Sequence, residues 1–242
     1  RMFPIRDHNP SSRTPWVTYT LIAINVAVFL SYWGLMDQPR VMSVIYARWA
    51  LIPAIADQAP LGFVTSMFLH GGLMHLAGNM LFLWIFGDNL EDELGPLRYL
   101  GFYLASGVLA SLAHVLSAPD SPVPLVGASG AIAGVMGGYL LLFPRAKVDV
   151  LFIFVIFFKI WPLPAWVVLG AWFGLQLFSG AALLGSGVAY WAHVGGFIAG
   201  LVLCVPVWLR RGGPRYWQRT HGHPPHAAAQ YRRTTVPTVP RR

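Results

Sequence analysis

Ser129 opens an apolar run, Gly127-Ala128-Ser129-Gly130, that carries no charged residue before Arg145. His193 lies in an equally apolar setting, Ala192-His193-Val194-Gly195-Gly196, and His75 and Asn79 sit four apart in a third. Polar groups in such surroundings are costly and usually mark function. An alcohol, an imidazole and two neutral hydrogen-bond donors are the components of an acyl-transfer site: nucleophile, general base and oxyanion donors. Singly, each has an ordinary use, as a serine bonded back to its own helix or as polar side chains joining two helices. Their combination is what points to chemistry.

Composition decides which elements carry these residues. The 242-residue chain is 56% hydrophobic and 11% charged, against about 25% charged in a typical soluble domain. It reads as a membrane protein. Several uncharged stretches approach the roughly 20 residues that cross a hydrocarbon core, and only helices or closed barrels satisfy their backbone there. No alternating barrel pattern is present, so the fold class expected is all-α, a polytopic six-transmembrane-helix bundle. The net charge of +8 resides in tails and connections rather than on a face interleaved with aromatics, so the partner expected is a lipid bilayer and not nucleic acid. The one cysteine, Cys204, excludes an intrachain disulfide and a thiolate metal cluster.

The six spans are expected at 17–36, 63–86, 97–116, 127–143, 163–178 and 190–209. Thr14-Pro15 is a helix-start signal for the first. No small-residue cleavage site follows that run, so it is expected to remain as a helix. Between the first two spans, 37–62 is too interrupted to cross and reads as interfacial. Residues 87–95 read as a short acidic turn outside lipid and 117–126 as a Pro/Ser-rich loop. The stretch 150–161 covers only about 18 Å as a helix, short of the roughly 30 Å core, and reads as interfacial or re-entrant. The organisation expected is therefore a short N-terminal segment (1–14), the membrane domain (15–211) and a basic, disordered tail (212–242) containing His221, His223 and His226.

Charge tests the count. With the N-terminus inside, fifteen Lys and Arg fall on the cytoplasmic side and only Arg40 and Arg48 face out, as the positive-inside rule requires. Both termini are then cytoplasmic, and Ser129, His193 and Asn79 share the outer half of the bilayer. The site is expected to open to the external side of a bacterial inner membrane.

A serine hydroxyl needs a base within about 2.6 to 3.2 Å to become a nucleophile. His193 is the histidine best placed for this if the fourth and sixth spans meet. Gly130, Gly134 and Gly138 form a small-residue stripe on one, and Gly196 and Gly200 a matching pair on the other; such faces let membrane helices approach closely. His75 and Asn79 share a helix face and point two donors one way. The Ser129 amide, at a helix start, adds a third. All nine carboxylates fall outside the six spans, which excludes a paired-aspartate intramembrane protease and makes an Asp-oriented triad unexpected at membrane depth. His70, His75 and His193 have the ligand types for zinc, but that reading leaves Gly-Ala-Ser-Gly without a role, and neither metal nor other cofactor is expected.

His70-x4-His75-x3-Asn79, Gly127-Ala128-Ser129-Gly130 and Ala192-His193-x2-Gly196-x3-Gly200, in this order, resemble the rhomboid intramembrane serine proteases. The resemblance covers about 15–211. It implies that Ser129 attacks a scissile peptide, that His193 is base and then acid, and that His75, Asn79 and the Ser129 amide bind the oxyanion. His70, Gly127, Gly130, Gly196 and Gly200 would support the site. Family substrates are single-span membrane proteins cut in or beside a transmembrane segment. Two departures stand out. The position four after the nucleophile, often aromatic in relatives and stacked on the histidine, is Ala133, leaving Tyr190 or Trp191 to substitute; and the external loop has Arg48-Trp49 in reversed order, so no role is carried onto it.

The rival readings are a noncatalytic rhomboid-like protein that binds transmembrane helices, which the intact Ser129 and His193 disfavour, and a transporter, which would show inverted repeats or charged pathway residues.

Overall fold

A computed structural model describes residues 2–154, 157–182 and 188–225. The chain runs through strand β1 (Met2–Asp7), helices α1 (Trp16–Trp33) and α2 (Pro39–Trp49), a 3-10 turn (Pro53–Ile55) and short helix α3 (Gly62–Thr65). There follow a second 3-10 turn (Ser66–Phe68), α4 (Leu73–Leu94), α5 (Pro96–Ser117) and α6 (Ser129–Leu142). A hairpin of β2 (Lys147–Phe154) and β3 (Phe157–Pro164) leads to α7 (Ala165–Ala181), α8 (Tyr190–Arg210) and α9 (Pro214–Thr220).

A helix apolar on every side is stable only where every side is covered, and α6 occupies that position. Its residues Gly130 through Tyr139 are all buried, packed chiefly by α8 and α5. Glycine permits the approach. A Cβ on Gly196 or Gly200 would strike the backbone carbonyls of Gly130 and Gly134 respectively. The expected stripe on α6 turns its Cβ positions first towards α5 rather than α8: positions 130, 134 and 138 meet Ala110, Ser106 and Phe102, while Gly137, not part of the stripe, faces the Phe197 carbonyl of α8.

Helices α1, α5 and α8 are long and apolar enough to cross a membrane; α4 makes a fourth if joined to 62–68, and α6 and α7 are apolar but shorter. The protein is therefore a multi-pass helical membrane protein, with the count of six resting on those two short helices. The expected second span is not one straight helix. The chain bends by 96° between 62–68 and α4, at Gly71-Gly72, where the poorest helix formers apart from proline meet. His70 lies in this break, off the helix that carries His75 and Asn79. The expected acidic turn is also helical: α4 continues to Leu94. Its buried Glu91 accepts hydrogen bonds from the Val17 and Thr18 amides (2.9 and 2.8 Å) and the Thr18 hydroxyl. The carboxylate satisfies the orphan N–H groups that begin α1.

The fold is not all-α. Strands β1, β2 and β3 form an antiparallel sheet in that order, and of the stretch 150–161 the described residues 150–154 and 157–161 belong to its strands rather than to a re-entrant helix. A continuous apolar run suits a buried strand and a buried helix equally; its β-branched and aromatic side chains favour the strand, and pairing with β1 completes it. The sheet sits at the end of the bundle away from Ser129, where Asp149 accepts from Arg6 Nε at 2.7 Å and pairs with His8 Nε2 at 2.8 Å. At the same end the expected disordered tail begins with ordered structure: α9 packs Trp217 on Trp208, and the Arg145 amide donates to the Gly222 carbonyl. His221 and His223 follow α9, and His226 is outside the described residues.

Asp7 accepts a 2.7 Å hydrogen bond from the Tyr139 hydroxyl of α6. Burial, opposed by that hydrogen bond and reinforced by nearby Asp88, pushes its carboxyl up to about 8. The folded state thus favours the protonated acid. Its contribution to stability is full below the ordinary carboxylate range and falls as pH rises towards 8. Asp7→Asn, neutral at every pH, is expected to flatten this dependence: between pH 5 and pH 8 the melting temperature of the wild type in detergent should drop more than that of the variant. Parallel curves would show that the carboxyl does not titrate in this window.

Candidate active site

Ser129 is the first residue of α6 and His193 sits in the first turn of α8. The glycine contacts between these helices bring the side chains together: His193 Nε2 lies 2.8 Å from Ser129 Oγ. Both are half-buried. The distance suits transfer of the hydroxyl proton to the imidazole.

Gly127 enters α6 at a φ of +125°, a conformation that favours glycine, with its amide donating to the Ser66 carbonyl at 2.9 Å. A Cβ there would lie 2.7 Å from His75 Nε2 and 3.6 Å from Asn79 Nδ2. Two side chains one turn apart on α4 therefore converge on a point two residues before the serine. The Gly71 amide faces His75 Nδ1 at 3.3 Å, which leaves Nε2 as the protonated nitrogen of a neutral ring. Asn79 Nδ2 is buried and makes no hydrogen bond among the described residues. Both are donors free to meet an oxyanion. His70 lies beside His75: its ring meets that of His75 edge-on at 5.1 Å, and its backbone amide and carbonyl are both held by the Tyr32 hydroxyl, at 2.7 and 2.9 Å.

The four polar residues border two cavities. One, of about 530 Å³, extends under the 121–126 loop and reaches His114 of α5. The other, of about 250 Å³, is a narrower apolar cleft between α4 and α7, walled by Met74, Phe82 and Trp172. An antiparallel bridge between Leu51 and Leu125 ties the loop to the 37–62 connection.

Three residues at the site are not expected from the sequence. Gln176 Oε1 of α7 lies 2.8 Å from His193 Nδ1, and Trp172, one turn earlier, lays its ring against the imidazole with centroids 5.7 Å apart. The ring against His193 is thus that of Trp172, where the sequence points to Tyr190 or Trp191. His114 lines the larger cavity. A signal existed for Gln176, since it is the only amide side chain in the apolar run 165–181. Among the described residues no three His, Cys, Asp or Glu side chains gather as a metal would require.

The Rhomboid domain model matches residues 57–210. Rhomboid protein 1, mitochondrial, of Saccharomyces cerevisiae is 33% identical over 192 residues, covering 77% of this chain and 51% of that protein. Rhomboid protease GluP of Bacillus subtilis is 35% identical over 128 residues, 52% of this chain and 24% of that one. Presenilin-associated rhomboid-like protein A, mitochondrial, of Danio rerio is 29% identical over 172 residues, 69% and 44% of the two chains. The chain spans about half or less of the length of these relatives. Mitochondrial and bacterial names stand side by side, which lends no particular support to a bacterial inner membrane.

Proposed function

The chain belongs to the rhomboid family, and on that premise we propose that it is an intramembrane serine endopeptidase, cutting membrane proteins in or next to a transmembrane segment. The observation that carries the reading is the 2.8 Å approach of Ser129 Oγ to His193 Nε2 beside two converging donors. Ser129 Oγ attacks the scissile carbonyl as its proton passes to His193 Nε2. The oxygen takes the negative charge and is met by His75 Nε2–H, the Asn79 amide and the Ser129 N–H. Collapse breaks the C–N bond, and His193 returns the proton to the leaving amine. His193 then takes a proton from a water as it attacks the acyl carbon and gives it to Ser129 Oγ as the ester bond breaks, freeing the acid product and the enzyme.

The six-span arrangement belongs to the same reading. The 14 residues of α6 cover about 21 Å of a roughly 30 Å core. Its first residue therefore lies beneath the membrane face rather than at it. Water reaches that depth through the larger cavity and the peptide through the apolar cleft. The sheet, α9 and both ends of the described chain gather at the opposite end, which with the positive-inside rule supports a cytoplasmic position for that end and an external one for the site.

The test is to expose the detergent-solubilised protein to a fluorophosphonate and to a transmembrane model substrate. Phosphonylation at Ser129 alone, blocking cleavage, and activity insensitive to EDTA are expected. Asn79→Ala, lacking one oxyanion donor, should lower kcat by about 10²- to 10³-fold. Activity abolished by EDTA and restored by zinc would replace the serine mechanism, and binding of the helix without cleavage would favour the noncatalytic reading.

A further inference from the structure

We propose that Gln176 is the positioning residue of the general base, fixing His193 in the tautomer whose Nε2 is free to take the Ser129 proton. The inference rests on the serine protease reading and adds to it a third member on a third helix.

A neutral imidazole carries one proton, and the hydrogen bond at one nitrogen decides what the other can do. His193 is engaged at both, with Nδ1 at 2.8 Å from Gln176 Oε1 and Nε2 at 2.8 Å from Ser129 Oγ. An amide oxygen only accepts. The proton then resides on Nδ1, Nε2 presents its lone pair to the hydroxyl, and the line Ser129–His193–Gln176 points the proton one way. With the Gln176 amide reversed, its NH₂ would donate to Nδ1, the imidazole would turn an N–H towards Ser129, and base function would be lost. The acceptor orientation is the one observed.

Two further features fit a positioning role. Trp172 and Gln176 lie one turn apart on α7 and hold the same imidazole, one against its face and the other at its edge. Without them α8 fixes only where the ring is attached. Secondly, the partner is neutral. All nine carboxylates of the chain lie elsewhere, and a buried carboxylate at membrane depth would carry a large desolvation cost. An amide selects the same tautomer without that charge. When the proton moves from Ser129 to Nε2, the cationic ring keeps Nδ1–H on Gln176 Oε1, and that charge-assisted bond is stronger in the transition state than in the resting enzyme.

The alternative is that Gln176 joins two helices and nothing more, and Gln176→Leu and Gln176→Glu separate the two. In the protein in detergent, Gln176→Leu is expected to lower kcat by about 10- to 100-fold, taking the loss seen when partners that orient metal-ligating imidazoles are removed as the guide, with KM and the melting temperature close to wild type. Gln176→Glu keeps the acceptor. It is expected to recover activity relative to Gln176→Leu and to shift the acid limb of the kcat/KM profile to higher pH, because a carboxylate beside Nδ1 favours the protonated ring. Nitrogen-15 NMR of labelled histidine should show the Nδ1–H tautomer in the wild type and a mixture in Gln176→Leu. Wild-type kcat in Gln176→Leu, or equal losses in both variants with an unmoved pH profile, would overturn the proposal. Ser129→Ala run alongside keeps the premise separate: if it too cleaves, the protease mechanism fails; if it is inactive while both Gln176 variants behave as wild type, only the role of Gln176 falls.

Discussion

Ser129→Ala is expected to lower the turnover of a transmembrane substrate by about 10⁴-fold or more, with the affinity for that substrate little changed. The hydroxyl is the atom that bonds to the scissile carbon, and Ser129 bears little of the packing: it begins α6 beside a cavity, half-buried, with its oxygen on His193. Alanine therefore removes the chemistry and leaves the fold. His193→Ala should produce a loss of similar size, because a serine hydroxyl without a base is a poor nucleophile. The double variant should be no worse than either single one, since residues that act as a unit are strongly non-additive. The measurement is single-turnover cleavage of a transmembrane substrate, with binding followed separately by fluorescence and folding by thermal melting. Losses that multiplied would mean that the two side chains act in separate steps, and substantial activity in Ser129→Ala would remove the nucleophile from the mechanism.

What the sequence discloses, and what it hides, follows from how each residue achieves its role. Ser129, His193, His75 and Asn79 are legible because each is polar in an apolar run, and that contrast is local. Gln176 carries the same signal in 165–181, but a lone amide names no chemistry until the base it touches is known. Trp172 carries no signal at all, being one apolar aromatic among many, and only the packing of α7 on α8 sets it against His193. The ends of α1, α5 and α8 fall where hydropathy and helix-start residues put them, since burial in lipid acts on each stretch separately. The hairpin was hidden for the opposite reason. Its run of Val, Leu, Ile and Phe has no decisive period, and the partner that completes the sheet, β1, comes from more than a hundred residues away. The acid-rich end of α4 misleads similarly: Glu91 reads as a solvated turn residue until α1 delivers the amide groups it caps.

Gly200→Ala is expected to disable the protein through its fold. One methyl group at this position would collide with the Gly134 carbonyl group and Cα of α6, all backbone atoms that no rotamer change can move aside. Overpacking of this kind typically costs about 1–3 kcal/mol, and here relief requires the two helices to part. Parting them acts on the site directly, because the 2.8 Å contact between Ser129 and His193 spans the same interface, and hydrogen bonds weaken once donor and acceptor exceed about 3.2 Å. The expected result is a lower melting temperature together with slower fluorophosphonate labelling of Ser129. Gly101→Ala is the matched control: on α5 a Cβ there meets no atom within 4 Å, and the gain in helix propensity over glycine, up to about 1 kcal/mol, should leave stability level or raised and labelling unchanged. Normal labelling and melting in Gly200→Ala would mean that α6 and α8 do not depend on backbone contact to align the dyad. Impaired labelling at an unchanged melting temperature would instead assign the glycine to alignment alone.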